Sequence, residues 1–229
     1  MDSWFVEKEI APIFPNHSAA ICCRGERING NLMSRLIKYR HDDDFFFIKT
    51  YFSRGRWLRH YMGRSRIRAE WENLQEFAVL GIPTADLVAY GESLINGTYK
   101  GTLITREVEG TYDLATILQK QRALFANRTW RSKVLALLSA TVRKMHKADF
   151  VHNDLKWRNI LVETINDASI YVIDCPLGKQ MSWPFLKRGK IKDLACLDKI
   201  ARKELSKNER LRFYLTYKGK KRLEQEDKK

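Results

Sequence analysis

The chain has 229 residues, 44% of them hydrophobic and 11% aromatic, which suits one large domain or two small lobes and excludes a chain disordered throughout. Its formal net charge of +15 predicts affinity for anionic partners such as nucleic acid, a phosphorylated substrate or an anionic membrane surface, without choosing among them. Cys22, Cys23, Cys175 and Cys196 lack C-x-x-C spacing and read as reduced thiols, so no structural zinc site is expected. The polar, acidic start from Met1 to Glu9 is unlike a signal peptide, and no run approaches the ~20 apolar residues of a membrane span. A cytoplasmic protein is expected.

In chain order, residues 18–52 read as β-rich. Ser18–Arg24 is a short apolar-leaning run broken at Gly25, and Leu32–Tyr39 follows. A polar turn at His41–Asp44 leads into the aromatic and β-branched run Phe45–Phe52, the clearest strand of this half, with Lys49 inside it. A basic stretch from Arg54 to Arg68 interleaves Trp57, His60 and Tyr61. The spacing of Ile67, Trp71, Leu74, Phe77 and Ala78 predicts a helix from about Arg66 to Leu80, ended by Gly81. Leu87–Tyr90 and Thr102–Val108 read as strands, and Gly110 opens a polar linker. Helices are predicted over Leu114–Leu124 and Trp130–His146, then a hairpin of Ile160–Val162 and Ile170–Asp174 turning at Asn166-Asp167. Helices over Asp193–Glu204 and Glu209–Tyr217 precede a charged tail. The pattern implies an α+β chain: a β-rich N-lobe over 1–109, a mainly helical C-lobe over 110–217, and a tail over 218–229.

The chemistry concentrates in His152-Asn153-Asp154-Leu155-Lys156-Trp157-Arg158-Asn159. Phosphoryl transfer needs a positioned hydroxyl, aligned phosphates and cations that offset the charge of the transferring group. Asp154 suits the base or hydroxyl-orienting role, and Lys156 is placed to reach the γ-phosphate. Asn159 and Asp174, the latter following the apolar strand Tyr171-Val172-Ile173, suit a metal. Lys49 fits a strand lysine that contacts the α/β-phosphates and pairs with a helix glutamate. Glu70 is preferred for that pair because Glu70, Leu74 and Phe77 stand at kinase-like offsets, with Glu72 and Glu76 as competitors. No G-x-G-x-x-G loop is present. Gly25, flanked by Arg24 and Arg27, is either a short anion-binding turn or an ordinary turn glycine. Asp193 reads as a scaffold for the catalytic-loop backbone or, failing that, as a helix N-cap.

The run Val151–Val162, with Ile173-Asp174-Cys175-Pro176 and Lys192-Asp193-Leu194, resembles the bacterial lipopolysaccharide core kinases, which include heptose kinases and 3-deoxy-manno-octulosonic acid (Kdo) kinases of the InaA type. The resemblance covers about residues 20–215. It implies a two-lobed protein-kinase-like fold, ATP with Mg²⁺, an inner-core sugar of lipopolysaccharide as acceptor, and peripheral work at the anionic cytoplasmic face of the inner membrane.

The sequence departs from protein kinases in several places. Asn153 replaces the arginine that pairs with an activation-loop phosphate, Cys175-Pro176 replaces Phe-Gly, and no A-P-E triplet follows. A sugar acceptor therefore fits better than a phosphorylation-switched protein Ser/Thr/Tyr kinase. An inactive kinase-like nucleic-acid-binding protein is the other reading. The intact Lys49, Asp154, Asn159 and Asp174 set argues against it, and no RNP1 or KH signature appears, so no nucleic-acid partner is expected. The arginines between Arg54 and Arg68 and the stretch Lys187–Lys192 read equally as glycolipid-facing surfaces or as solvated faces.

Overall fold

The computed structural model describes residues 3–53, 63–164 and 168–223. Most of the basic stretch, with Trp57, His60 and Tyr61, and the Asn166-Asp167 turn lie outside them. The chain forms two compact units. The first comprises Met1–Glu76, Ala85–Val108 and Cys175–Leu177, and the second Phe77–Thr84, Glu109–Asp174 and Gly178–Lys229.

The first unit is built on an antiparallel sheet of β1 (Ser3–Val6), β2 (Glu26–Gly30), β3 (Ser34–His41), β4 (Asp44–Tyr51), β5 (Leu87–Ile95) and β6 (Thr98–Arg106). Its spatial order is β1-β5-β6-β4-β3-β2. Alternation decides which face of β4 is buried. Phe46 and Ile48 are buried with Ile10, Phe14, Ile37, Val88 and Ile104, and Lys49, the residue after Ile48, takes the opposite face. The β5–β6 hairpin turns at Asn96-Gly97, both in the left-handed region, a two-residue connection whose chemistry stands in the sequence.

Ser18–Arg24, expected within a β-rich stretch, instead lies mostly in a short helix, α1 (His17–Cys22). Asn16 caps it, its side chain accepting from the Ala19 N–H at 2.8 Å, and His17, Ala20 and Ile21 are buried. Three buried positions in one helical turn and a half override the weak β propensity of the run.

Helix α2 (Arg66–Val79) follows the expected period, with Ile67, Trp71, Leu74 and Phe77 buried. Ser65 starts it by accepting from the Arg68 N–H. Past its end the Ile82 N–H donates to the Phe77 carbonyl across Gly81.

In the second unit, β7 (Thr111–Asp113), β9 (Ile160–Glu163) and β10 (Ile170–Val172) form one small sheet, and β8 (Phe150–Val151) pairs with β11 (Lys179–Gln180). The expected helix over Leu114–Leu124 is two, α3 (Leu114–Lys120) and α4 (Arg122–Ala126), and α5 (Arg128–Lys147) is the long central one. Helix α6 (Phe185–Glu204) begins eight residues before Asp193, because Gly189 lets its first turns close onto β8: a Cβ there would come within 2.9 Å of Val151. Helix α7 (Lys207–Lys218) starts with a capping box of Ser206 and Glu209.

Candidate active site

In the first unit, Lys49 Nζ donates to both carboxylate oxygens of Glu70 at 2.7 and 2.9 Å. Both partners are well shielded, so the pair is stronger than a surface ion pair. The competitor Glu72 is held instead by Arg64 and Arg68, each at 2.8 Å. Helix geometry separates the two acids. Glu70 shares the buried stripe of α2 with Leu74, whereas Glu72 lies about 200° away on the basic outer side.

The Glu70 end of α2 is fixed by a second cluster. The Ser65 hydroxyl and the Tyr99 phenol donate to Glu92 Oε1, and the Tyr90 phenol donates to Oε2 at 2.8 Å. Burial, and then the Glu92 carboxylate, push the Tyr90 phenol well above its usual range, so it remains a donor. Farther along α2, Asn73 donates from Nδ2 to the buried Cys175 carbonyl at 2.7 Å. Sequence reasoning missed Glu92 and Asn73. An isolated Glu in a strand and an Asn in a helix carry no motif, and only tertiary contact gives them a role.

Gly25 opens β2. A Cβ on it would stand 2.2 Å from the Lys38 carbonyl, so close approach to β3 accounts for glycine at that position. The β2–β3 hairpin tip lies beyond it at Asn31–Met33, where Asn31 Oδ1 accepts from the Met33 and Ser34 N–H groups.

In the second unit the loop from His152 to Lys156 joins β8 to a 3₁₀ turn over Trp157–Asn159. Its backbone is held by Asp193, which is fully buried and accepts from the His152 N–H and the Asn153 N–H, both at 2.8 Å. His146 Nε2 lies 3.3 Å from the same carboxylate, and its Nδ1 pairs with the Tyr217 hydroxyl at 2.9 Å. The scaffold reading of Asp193 thus describes its contacts, and mid-helix it is no N-cap. Asn153 takes φ +66°, a conformation asparagine tolerates better than most residues.

Burial pushes the His152 imidazole pKa down, against the pull of Asp193 and Asp174, so the ring is neutral. Its Nδ1 accepts weakly from the Asp154 N–H at 3.4 Å. Asp154 itself is ion-paired with Lys156, Nζ to Oδ1 at 2.5 Å.

Asn159 donates from Nδ2 to the Asp154 carbonyl at 2.9 Å, which turns its amide oxygen the other way. The Ile173 N–H donates to the Asn159 carbonyl at 3.0 Å, so Asp174 comes directly after a residue tied to Asn159. Asp174 takes φ +60°, an uncommon conformation for a non-glycine residue. Among the described residues no group of three or more His, Cys, Asp and Glu side chains stands ready to hold a metal. One carboxylate and one amide oxygen fit Mg²⁺, which binds through one or two protein oxygens and takes its remaining ligands from phosphates and water.

A sequence model of the lipopolysaccharide kinase (Kdo/WaaP) family matches residues 48–217, well over half of the chain. The 3-deoxy-D-manno-octulosonic acid kinase of Actinobacillus succinogenes is 28% identical over 120 residues, covering 52% of this chain and 47% of that protein. The protein of the same name from Haemophilus influenzae (strain PittEE) is 26% identical over 153 residues, covering 60% of this chain and 61% of that one. The matches thus span about half to three-fifths of these curated relatives. A solved structure described as WaaP in complex with acyl carrier protein superposes with a TM-score of 0.74 at 23% identity, over 95% of this chain and 89% of that chain. The shared architecture is the expected protein-kinase-like α+β fold. With both the family match and the fold in agreement, the chain belongs to the lipopolysaccharide kinase (Kdo/WaaP) family.

Proposed function

We propose that the protein is an ATP-dependent kinase that phosphorylates a hydroxyl of an inner-core sugar of lipopolysaccharide. Family membership supports the reaction class. The name carried by the curated relatives favours Kdo over heptose as the acceptor. The observation that carries the reading is the catalytic loop itself, whose backbone is clamped by buried Asp193 so that Asp154 and Asn159 are fixed relative to each other by the 2.9 Å bond between them.

In this reading Asp154 orients the acceptor hydroxyl and takes its proton as the phosphoryl group arrives. Lys156, free to exchange Asp154 for a more strongly charged partner, holds the γ-phosphate. Lys49, oriented by Glu70, holds the α/β-phosphates, and the β2–β3 hairpin that Gly25 opens covers them. Asn159 and Asp174 would hold Mg²⁺, which offsets phosphate charge. A glycolipid acceptor calls for work at the cytoplasmic face of an anionic membrane.

The test is transfer of phosphate from ATP to purified inner-core glycolipid, read by mass spectrometry. The wild type adds one phosphate. Asp154→Ala lowers turnover by about a thousandfold while nucleotide affinity is kept, since the nucleotide contacts lie elsewhere. Absence of phosphate gain on Kdo- and heptose-bearing acceptors alike would reject the proposed substrate.

A further inference from the structure

Between Lys179 and Lys192 the chain carries five cations and no carboxylate. Three large apolar side chains in this segment face solvent: Trp183 is 87% exposed, Phe185 64% and Ile191 56%. Such side chains are normally the first to be buried, and their clustering marks an interaction surface.

Helix geometry makes the cluster one face. At about 100° per residue, Lys187, Arg188, Ile191 and Lys192 fall within one side of the first turns of α6. The opposite side is fixed inward by buried Gly189 against Val151 and by buried Asp193 on the catalytic loop. The exposed side therefore cannot roll away from solvent without breaking those contacts. Lys190 is paired with Asp149 at 2.9 Å, whereas Lys187, Arg188 and Lys192 have no carboxylate within ion-pair distance among the described residues.

We propose that this face of α6, with Trp183 just ahead of it, is a docking surface for an anionic lipid bilayer. The rings of Trp183 and Phe185 enter the headgroup region, and Lys187, Arg188 and Lys192 meet lipid phosphates. Charge and apolar exposure both favour a bilayer over a globular partner. Apolar side chains project at the helix start beside cations that have no carboxylate partner among the described residues, and the face itself offers no carboxylate to complement a basic group opposite. The proposal sharpens the placement at a membrane given above, and its test needs no kinase activity.

Vesicle co-sedimentation decides it, with the full chain, neutral phosphatidylcholine vesicles, and vesicles containing roughly one-third phosphatidylglycerol. The wild type partitions onto the anionic vesicles and not the neutral ones, and added salt weakens the partition. The triple variant Lys187→Glu, Arg188→Glu, Lys192→Glu binds on the order of a hundredfold more weakly, from about fivefold per cation. Trp183→Ala with Phe185→Ala binds on the order of tenfold more weakly. A control carrying the same charge change elsewhere, Lys8→Glu, Lys120→Glu, Arg128→Glu, stays within a few-fold of wild type.

Equal loss in the control, equal binding to neutral vesicles, or binding to a DNA oligonucleotide or polyglutamate but to no vesicle each overturns the proposal. Circular dichroism of every variant separates loss of the surface from loss of the fold. The assay contains neither nucleotide nor sugar. Failed phosphate transfer with intact partition therefore rejects only the kinase substrate, and failed partition with intact transfer rejects only this surface.

Discussion

Asp193 is fully buried, and its carboxyl group is satisfied there by two amide donors at 2.8 Å with His146 beside them. Replacing it by alanine leaves the His152 and Asn153 N–H groups buried without acceptors. The expected cost is about 3 kcal/mol of folding stability, together with a fall in turnover as the loop loosens around Asp154. Urea unfolding and steady-state kinetics on Asp193→Ala check both, and Asp193→Asn, which keeps one acceptor, should recover part of each. Normal stability in the alanine variant would show that the two amides find other partners. At this scale the sequence was informative wherever a residue sat in a spaced motif: Lys49, Glu70 and the residues from His152 to Asn159. Glu92, Asn73 and His146 belong to no local pattern, and their partners lie between 2 and 102 positions away.

Among the elements, α7 shows how a short helix with no fully buried residue is retained. Its Ser206–Glu209 capping box satisfies the first-turn amides, Arg131 of α5 pairs with Glu209 at 2.7 Å, and Ser139 donates to the Phe213 carbonyl. Burial alone would raise the Glu209 carboxyl, but the Ser206 hydroxyl and amide and then Arg131 outweigh it and hold the pKa at about 2. A depressed acid stabilises the fold above its unfolded value and loses that effect as pH falls from about 4.5 toward 2. Glu209→Gln is therefore expected to cost about 1–2 kcal/mol near neutral pH and almost nothing near pH 2. Denaturant titrations of both proteins across that range test it, and a pH-independent difference would assign the loss to packing instead. Periodicity made α2 and α5 legible to within a few residues. The start of α6 was not, because Trp183 to Lys192 has no buried stripe beyond Gly189, and the contact that fixes it is with a strand some forty residues earlier.

For the molecule as a whole, the chain passes between its two units at Glu76, Thr84, Val108, Asp174 and Leu177, so a single cut does not separate them. The piece Phe77–Thr84 belongs to the second unit through Phe77 against Phe150 and the Val172 N–H on the Pro83 carbonyl. Cys175 belongs to the first through Asn73. Residues 1–108 and 109–229 expressed separately are expected to give poorly protected fragments, and co-expression is expected to restore amide-exchange protection. Native-like protection in either fragment alone would show that the shared pieces are dispensable. The division expected at 109/110 rests on the polar linker that Gly110 opens, and a local signal of that kind is blind to short segments that return to the other unit.

If Lys49 and Glu70 serve the nucleotide as proposed, the Glu92 cluster bears on how readily it is captured. A site that must first assemble binds with an affinity reduced by the fraction of molecules already assembled. Here Glu92 holds Ser65, Ser65 starts α2, and α2 presents Glu70 to Lys49. On the roles proposed for Lys49 and Glu70, a helix held in this way leaves nucleotide capture without an assembly step, and turnover is expected to follow nucleotide concentration rather than an on–off switch of the helix. Glu92→Ala releases three hydroxyl donors at once. If it lowers the assembled fraction to about one-tenth, nucleotide affinity falls about tenfold while turnover at saturating nucleotide is unchanged. Isothermal titration and saturation kinetics separate the two, and a loss confined to maximal turnover would place Glu92 nearer the chemistry than the helix start it anchors.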